Sequence, residues 1–301
     1  MSIALTGSFP KGQQIGANAI TFWGSYNEKD TVFSKIFKSE SVKDQYCEDT
    51  LITGMGLMPK KNEGSDIAYD SMSQGYTTRY TQQTYGLGFV VSFEQQEFDQ
   101  YIKIMEKGMN HLSRSLKETK EITGANIFNN GFDSSYVGGD EVELLSTAHS
   151  SRAGDFSNEL ATPADFSESS YEDILIQIKN AKNDRGLRIG LKPKELLIPT
   201  ALSFDARRIV NSPMQSGNAN NDINASKGSL SNGIIENPYL TDDNAWFVLT
   251  DAPEGFKHKS KIDGRFSNDG SFDNADHKYK LLSMFAMGYS DPRAVYGSAG
   301  V

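Results

Sequence analysis

From Phe93 to Thr123, the side chains Phe98, Tyr101, Ile102, Met105, Met109, Leu112, Leu116 and Thr119 recur every three or four positions. That spacing predicts one long helix with an apolar stripe along one side. Ser92 and Gln95 stand at capping-box spacing at its start. At ~1.5 Å per residue the helix would run roughly 46 Å, long for a single domain and suited to a spine along a flattened subunit. The Met and aromatic stripe reads as core and not as a cofactor box. Residues 1–45 have little periodicity: Gly7, Gly12, Gly16 and Gly24 interrupt them, with Phe9, Ile15, Phe22, Trp23 and Tyr26 scattered between. They read as an extended arm that must lean on something else. Val32, Phe33, Ile36 and Phe37 allow one or two helical turns.

Residues 51–91 look β-rich. Leu51–Met58 reads as a strand with glycine kinks, Pro59–Gly64 as a polar tip, and Tyr76–Tyr85 as a two-sided strand. Tyr76, Thr78 and Tyr80 share one face, and Thr77, Arg79 and Thr81 the other. Neither face suits a private core, so the pattern fits a hairpin that projects onto a neighbour, or an ordinary solvated one. Further elements are a helix at 168–183 carrying Ile174, Leu175, Ile178 and Ala181, a short buried strand at Leu196–Pro199 and a helix at Ala201–Val210. Residues 211–233 hold little apolar mass and many Asn, Ser and Gly, and read as a mobile peripheral loop. Ala245–Thr250 reads as a strand, residues 257–275 as a polar stretch, and Tyr279–Tyr289 as a long strand with Tyr279, Leu281, Phe285 and Met287 on one face. The order of elements predicts an α+β chain without internal repeats.

Composition sharpens this picture. The chain has 301 residues, and its apolar share, with Gly counted and Tyr left out, is about 42%, a little under the ~45–50% of a typical globular protein. Its 17 Phe, 13 Tyr and 2 Trp are too many for a disordered chain. The net charge is −9, from 30 basic and 39 acidic residues. Lys60-Lys61 and Arg207-Arg208 are the only basic pairs singled out, so sequence-specific nucleic-acid binding is not expected. No stretch approaches the ~18–20 apolar residues of a membrane helix, and no signal peptide is expected at the N-terminus. The single cysteine, Cys47, forms no internal disulfide or Cys-based zinc site and fits a reducing compartment.

Candidate chemistry is sparse. His111, His149, His258 and His277 are too far apart in sequence for a paired-histidine ligand motif. No GxSxG elbow, GxxxxGK[ST] loop or GxGxxG turn is present. Asp140, Glu141 and Glu143 form a small acidic cluster that reads as a solvated loop or, with His149, as a divalent-metal site. Ser267–Asp276 suggests a calcium loop, but aligning Gly270 with the EF-hand glycine puts Arg265 at the first ligand position. Asn224-Ala225-Ser226 matches a glycosylation sequon, with nothing to indicate secretion.

A set of short marks, in order along nearly the whole chain, points somewhere specific. They are Gln74–Tyr80, Tyr85–Phe89, Thr119–Glu121, Ala125–Phe132, Gly139-Asp140, Leu145–His149, Leu197–Pro199, Asn221–Ala225, Asn237–Asp242, Trp246-Phe247, Gly288–Arg293 and Tyr296-Gly297. None is a mechanistic motif. Together they resemble the tailed-bacteriophage major capsid proteins of the Hong Kong 97-type fold, in the branch with the Mu-like prophage major head subunits. The resemblance implies an N-terminal arm at 1–45, an extended loop hairpin at 46–91, a peripheral domain with the spine helix at 92–166 and 276–301, and an axial domain at 167–275.

It further implies a structural, non-enzymatic protein that self-assembles into hexameric and pentameric capsomers of an icosahedral shell around the phage genome. The shell would belong to the virion and be assembled in the bacterial host cytoplasm. Expected partners are other copies of the chain, a separate scaffold protein, a portal and a decoration protein. Packaged DNA would be touched loosely and non-specifically, and no membrane is involved. The scaffold is expected to be separate because the arm begins almost at Met1. No catalytic residue, cofactor or metal is implied. Some family members cross-link Lys to Asn with help from a buried Glu. Lys60 and Lys61 sit at a plausible tip, but the Asn and Glu have no match, so that activity is not carried over. A cellular nanocompartment shell of the same fold and a metal-dependent enzyme using Asp140, Glu141 and His149 are the alternatives.

Overall fold

A computed structural model describes residues 31–94, 104–215, 222–273 and 275–301. The architecture is α+β, with two four-stranded sheets, a two-stranded ribbon and a long helix. The elements are α1 (Phe33–Ile36), β1 (Lys38–Ser41), β2 (Tyr46–Thr53), β3 (Ser73–Thr81), β4 (Gln83–Val91) and the spine helix α2 (Ile104–Asn129). They continue with α3 (Glu168–Lys179), β5 (Pro193–Ile198), α4 (Ser203–Asn211), β6 (Gly233–Glu236), β7 (Trp246–Thr250), β8 (Phe256–Gly270), β9 (His277–Tyr289) and β10 (Val295–Ser298).

One sheet runs β10-β7-β5-β6 and is buried on both faces. Strand alternation divides its side chains. Leu196, Ile198, Trp246, Val248 and Tyr296 pack under α3 and α4 against Tyr171, Ile174, Ile178, Ala206 and Val210. Leu197, Phe247, Leu249 and Val295 face the other way, onto Phe128 of α2, Phe37, Leu144, Leu145 and Phe256. The second core joins the end of the spine helix to this sheet. α3 starts where the sequence places it because Ser167 caps it: its hydroxyl accepts from the Ser170 N–H, and the Ser170 side chain returns to the cap backbone.

The second sheet runs β1-β8-β9-β4, with β1 parallel to β8 and the other pairs antiparallel. α2 packs along β9. The helix continues beyond the expected end at Thr123, because Ala125 and Phe128 extend its buried side. Phe93 and Glu94 are helical. Gln95, Phe98, Tyr101 and Ile102 lie outside the described residues.

Several expectations need correction. Residues 257–275 do not form a polar connection: β8 fills most of them and sits in the middle of a sheet. The hairpin expected over 51–91 is a ribbon of β2 and β3 alone. After Gln82 the chain changes sheet, and β4 pairs with β9 from Gln83↔Phe285 to Val91↔His277. β8 lies in the expected axial stretch but pairs with β9. β10 lies in the expected peripheral stretch but completes the sheet of β5–β7. The loop at 211–233 is tied down in part: Asn224 and Ser226 are buried, and the Asn224 amide donates to Ile209 O (2.6 Å) and Ser212 O (3.0 Å). Polar side chains replace the missing apolar anchors there. Residues 216–221 lie outside the described residues.

Candidate assembly surface

The β2–β3 ribbon is mostly exposed, yet its root is fixed by a compact polar cluster. Asp49 Oδ2 accepts from Lys257 Nζ at 2.7 Å and from Ser290 Oγ at 2.8 Å, and Asp49 Oδ1 accepts from Lys259 Nζ at 2.6 Å. Lys257 and Lys259 project from the same face of β8 and are both buried. Lys257 also pairs with Glu254, and the Lys259 ammonium lies over the Tyr80 ring. Tyr80 is buried on β3, and its hydroxyl meets Ser290 Oγ at 2.7 Å. Burial opposes charge on Asp49, but the two ammonium groups and the Ser290 hydroxyl outweigh it and hold the carboxyl at about 2. Close backbone approach completes the root: a Cβ at Gly288 would stand 2.9 Å from the Tyr80 ring. Sequence reading missed Asp49, Lys257 and Lys259, since two lysines in a polar stretch give no sign of burial. A faint signal was their i, i+2 spacing, which puts both on one face of any strand.

Beyond the root, Thr53 and Ser73 are joined through side chain and backbone, and Arg152 donates to Ser73 Oγ at 3.0 Å. The ladder ends there, and residues 54–72 form the tip loop. Arg185, from the turn after α3, donates to Gly54 O, Ser71 O and Asp70 Oδ1. The tip is more apolar than its sequence suggested. Leu51–Met58 was expected to be strand, but the strand stops at Thr53. Met55, Leu57, Met58, Ile67, Tyr69 and Met72 therefore stand in solvent, with Met58 and Tyr69 96% and 94% exposed. Lys60 and Lys61 are exposed among them. An exposed apolar cluster on a projection marks an interaction surface.

The residues considered for chemistry behave differently. Asp140 and His149 do come together, with Oδ2 and Nδ1 2.6 Å apart, but deep inside the molecule. The other ring nitrogen faces Asn158 Oδ1 at 3.1 Å. Asn158 is itself committed: its amide donates to Leu144 O and Pro292 O, and its oxygen also accepts from Ser146 N. The trio is a buried tie between the 138–149 loop and the chain before β10. Glu141 points to solvent with φ of 64°, and Glu143 is half-buried. Among the described residues, no three His, Cys, Asp or Glu side chains are placed to hold a metal. His111 is exposed on α2, His258 is buried on β8 and His277 opens β9. Cys47 is half-buried on β2. Arg207 and Arg208 are paired with Glu236 and Asp205, so they form no open basic patch.

Known proteins bear on the fold. A family model described as "Phage capsid protein" matches residues 75–298. No curated protein sequence matches the chain. Among solved structures, the capsid of the cyanophage P-SCSP1u superposes with a TM-score of 0.62 at 9% identity, covering 93% of this chain and 92% of that one. The capsid of a native GTA particle gives 0.59 at 10% identity, with 98% of each chain covered. The capsid of Myoviridae phage XM1 gives 0.57 at 8% identity, covering 100% of this chain and 99% of the other. At such identities the likeness shows the fold, which is the Hong Kong 97 type. The family model spans about three-quarters of the sequence, from the ribbon's return strand to β10, and the chain belongs to the phage capsid protein family.

Proposed function

We propose that this major capsid protein joins as hexamers and pentamers into an icosahedral shell around a phage genome, with the β2–β3 ribbon reaching onto a neighbouring copy. The observation that carries the reading is the tip loop 54–72: a polar root fixes the ribbon, while its far end offers apolar side chains that stand exposed among the described residues. Each contact need only be modest, because a closed shell repeats it many times. Residues 46–81 act as the extended loop, while β1 and β4 join β8 and β9 in one sheet; residues 1–30 of the expected arm lie outside the described residues. α2 with β8 and β9 forms the peripheral part, and the doubly covered sheet with α3 and α4 the axial part. The shell is built in the host cytoplasm with a scaffold and a portal. Packaged DNA touches it loosely, as the net charge of −9 favours.

Negative-stain imaging of concentrated purified protein tests this directly. Closed shells or capsomer rings are the expected outcome, and protein that stays monomeric under all assembly conditions would overturn it. Native particles from infected cells should absorb strongly at 260 nm. Particles holding only protein would point instead to a nanocompartment shell.

A further inference from the structure

Arg185 sits in a rigid turn. Asn183 Oδ1 accepts from the backbone N–H of Arg185 at 3.0 Å and of Leu187 at 2.9 Å, and Gly186 supplies a left-handed φ of 79°. From that base the guanidinium reaches both ends of the tip loop. Its Nε donates to Gly54 O at 2.8 Å, where the outgoing strand has just ended. Its Nη2 donates to Ser71 O at 2.6 Å and to Asp70 Oδ1 at 3.1 Å, just before the return strand begins. Asp70 passes the link on, accepting from the backbone N–H of Gly56 and of Ser71, both at 2.8 Å. One planar, multi-donor group thus closes the neck of a loop that has no ladder of its own. Its side chain is only 14% exposed.

The loop closed in this way carries the exposed Met55, Leu57, Met58, Ile67 and Tyr69. Left open, the segment would sample many shapes, and ordering it at each contact would cost binding energy. We propose that Arg185 is a positioning residue that holds the apolar tip of the ribbon as a preformed surface for a second copy of this chain. This rests on the assembly role given to the ribbon. The contribution is conformational: Arg185 touches the neck and leaves the apolar side chains free.

The test reads the tip in unassembled subunits and assembly separately. Trypsin cleavage after Lys60 and Lys61, followed by mass, reports how often the tip opens. Arg185→Ala should speed that cleavage about tenfold, with thermal unfolding of the body little changed. Arg185→Lys should not restore protection, because an ammonium cannot span both ends of the neck. Shell yield should fall sharply in both variants. Unchanged tip cleavage or unchanged shell yield in Arg185→Ala overturns the proposal. Should that variant lose its fold, Asp70→Ala decides, since it removes the carboxylate through which Arg185 is linked to the Gly56 and Ser71 N–H groups of the tip. Faster tip cleavage with fewer shells then supports the proposal, and wild-type behaviour overturns it. Wild-type protein that never forms shells would count against the assembly role, while tip proteolysis would still judge the staple.

Discussion

Asp49 and His258 respond to acid through the same sheet. The Asp49 carboxyl lies near 2 in the folded protein against an ordinary 3.8, so its stabilisation is complete above pH 3.8 and is lost as pH falls toward 2. Asp49→Asn would leave Lys257 and Lys259 buried with weaker partners. Breaking a fully buried pair costs ~3–5 kcal/mol, and the partial exposure of Asp49 lowers this to about 2–3 kcal/mol. Denaturant titration at pH 7 should show that loss, with the gap between variant and wild type closing near pH 2. His258 acts over a higher window. Burial first, and then the neighbouring Lys120 charge, pull it down to about 4 from 6.5, against a smaller opposing pull from Asp263. Ser39 Oγ, Phe33 and Phe285 also face its ring. The folded state disfavours its proton, so stability is full above pH 6.5 and falls as pH drops through 4. Glu121, pushed up by burial, has the opposite sign, so the comparison must be between His258→Gln and wild type. The variant should flatten the pH 6.5–4 slope, removing a loss on the order of 3 kcal/mol.

At the scale of elements, legibility followed the range of the determining contacts. α3 was readable because Ile174, Leu175 and Ile178 mark one face, whereas its Ser167 cap shows only in the structure. The doubly buried strands Pro193–Ile198 and Trp246–Thr250 were readable from short apolar runs. β8 was not, because the carboxylate that Lys257 and Lys259 share, Asp49, lies some 200 positions earlier in the chain. The change of sheet at Gln82 was equally hidden, since β4 takes its register from β9 near the other end of the chain. The assembly surface was half legible. Alternating Thr and Tyr indicated a coreless ribbon, whereas the apolar tip depended on where β2 stops. These points decide how the ribbon should be cut. Replacing Gly56–Tyr69 with a short Gly-Ser link removes the tip and keeps the ladder, the root and the Arg185 contacts to Gly54 and Ser71. The body should unfold as cooperatively as wild type and within a few degrees of it, while joining between copies fails. Loss of the folded body would show that the tip supports the subunit, and normal shells would show that the tip is dispensable.

Across the whole molecule, the marks that carried the resemblance fall largely at sites of internal fit. Asn224, Asn237, His149 and Arg293 are buried polar groups, and Gly139 and Gly288 lie where β3 passes close by. They fix the subunit, and the exposed apolar tip proposed to meet other copies carries none of these marks. Fold and assembly should therefore separate under mutation. Leu57 and Met58 are 79% and 96% exposed in the subunit, so Leu57→Ser with Met58→Ser should leave thermal unfolding unchanged. Fully burying either side chain at a contact contributes ~1.5–3 kcal/mol, so losing both weakens each contact by about 3 kcal/mol or more. At 1.4 kcal/mol per factor of ten, that is a drop of about 100-fold in pairwise affinity. A shell closes only when many such contacts form together, so assembly should respond as a threshold. Light scattering against protein concentration should show wild type assembling above a sharp onset. For the variant, that onset should lie beyond the accessible range or about 100-fold higher. An onset that does not move, in a protein whose folding is also unchanged, would mean that the tip side chains stay in solvent in the finished shell and that other surfaces join the copies.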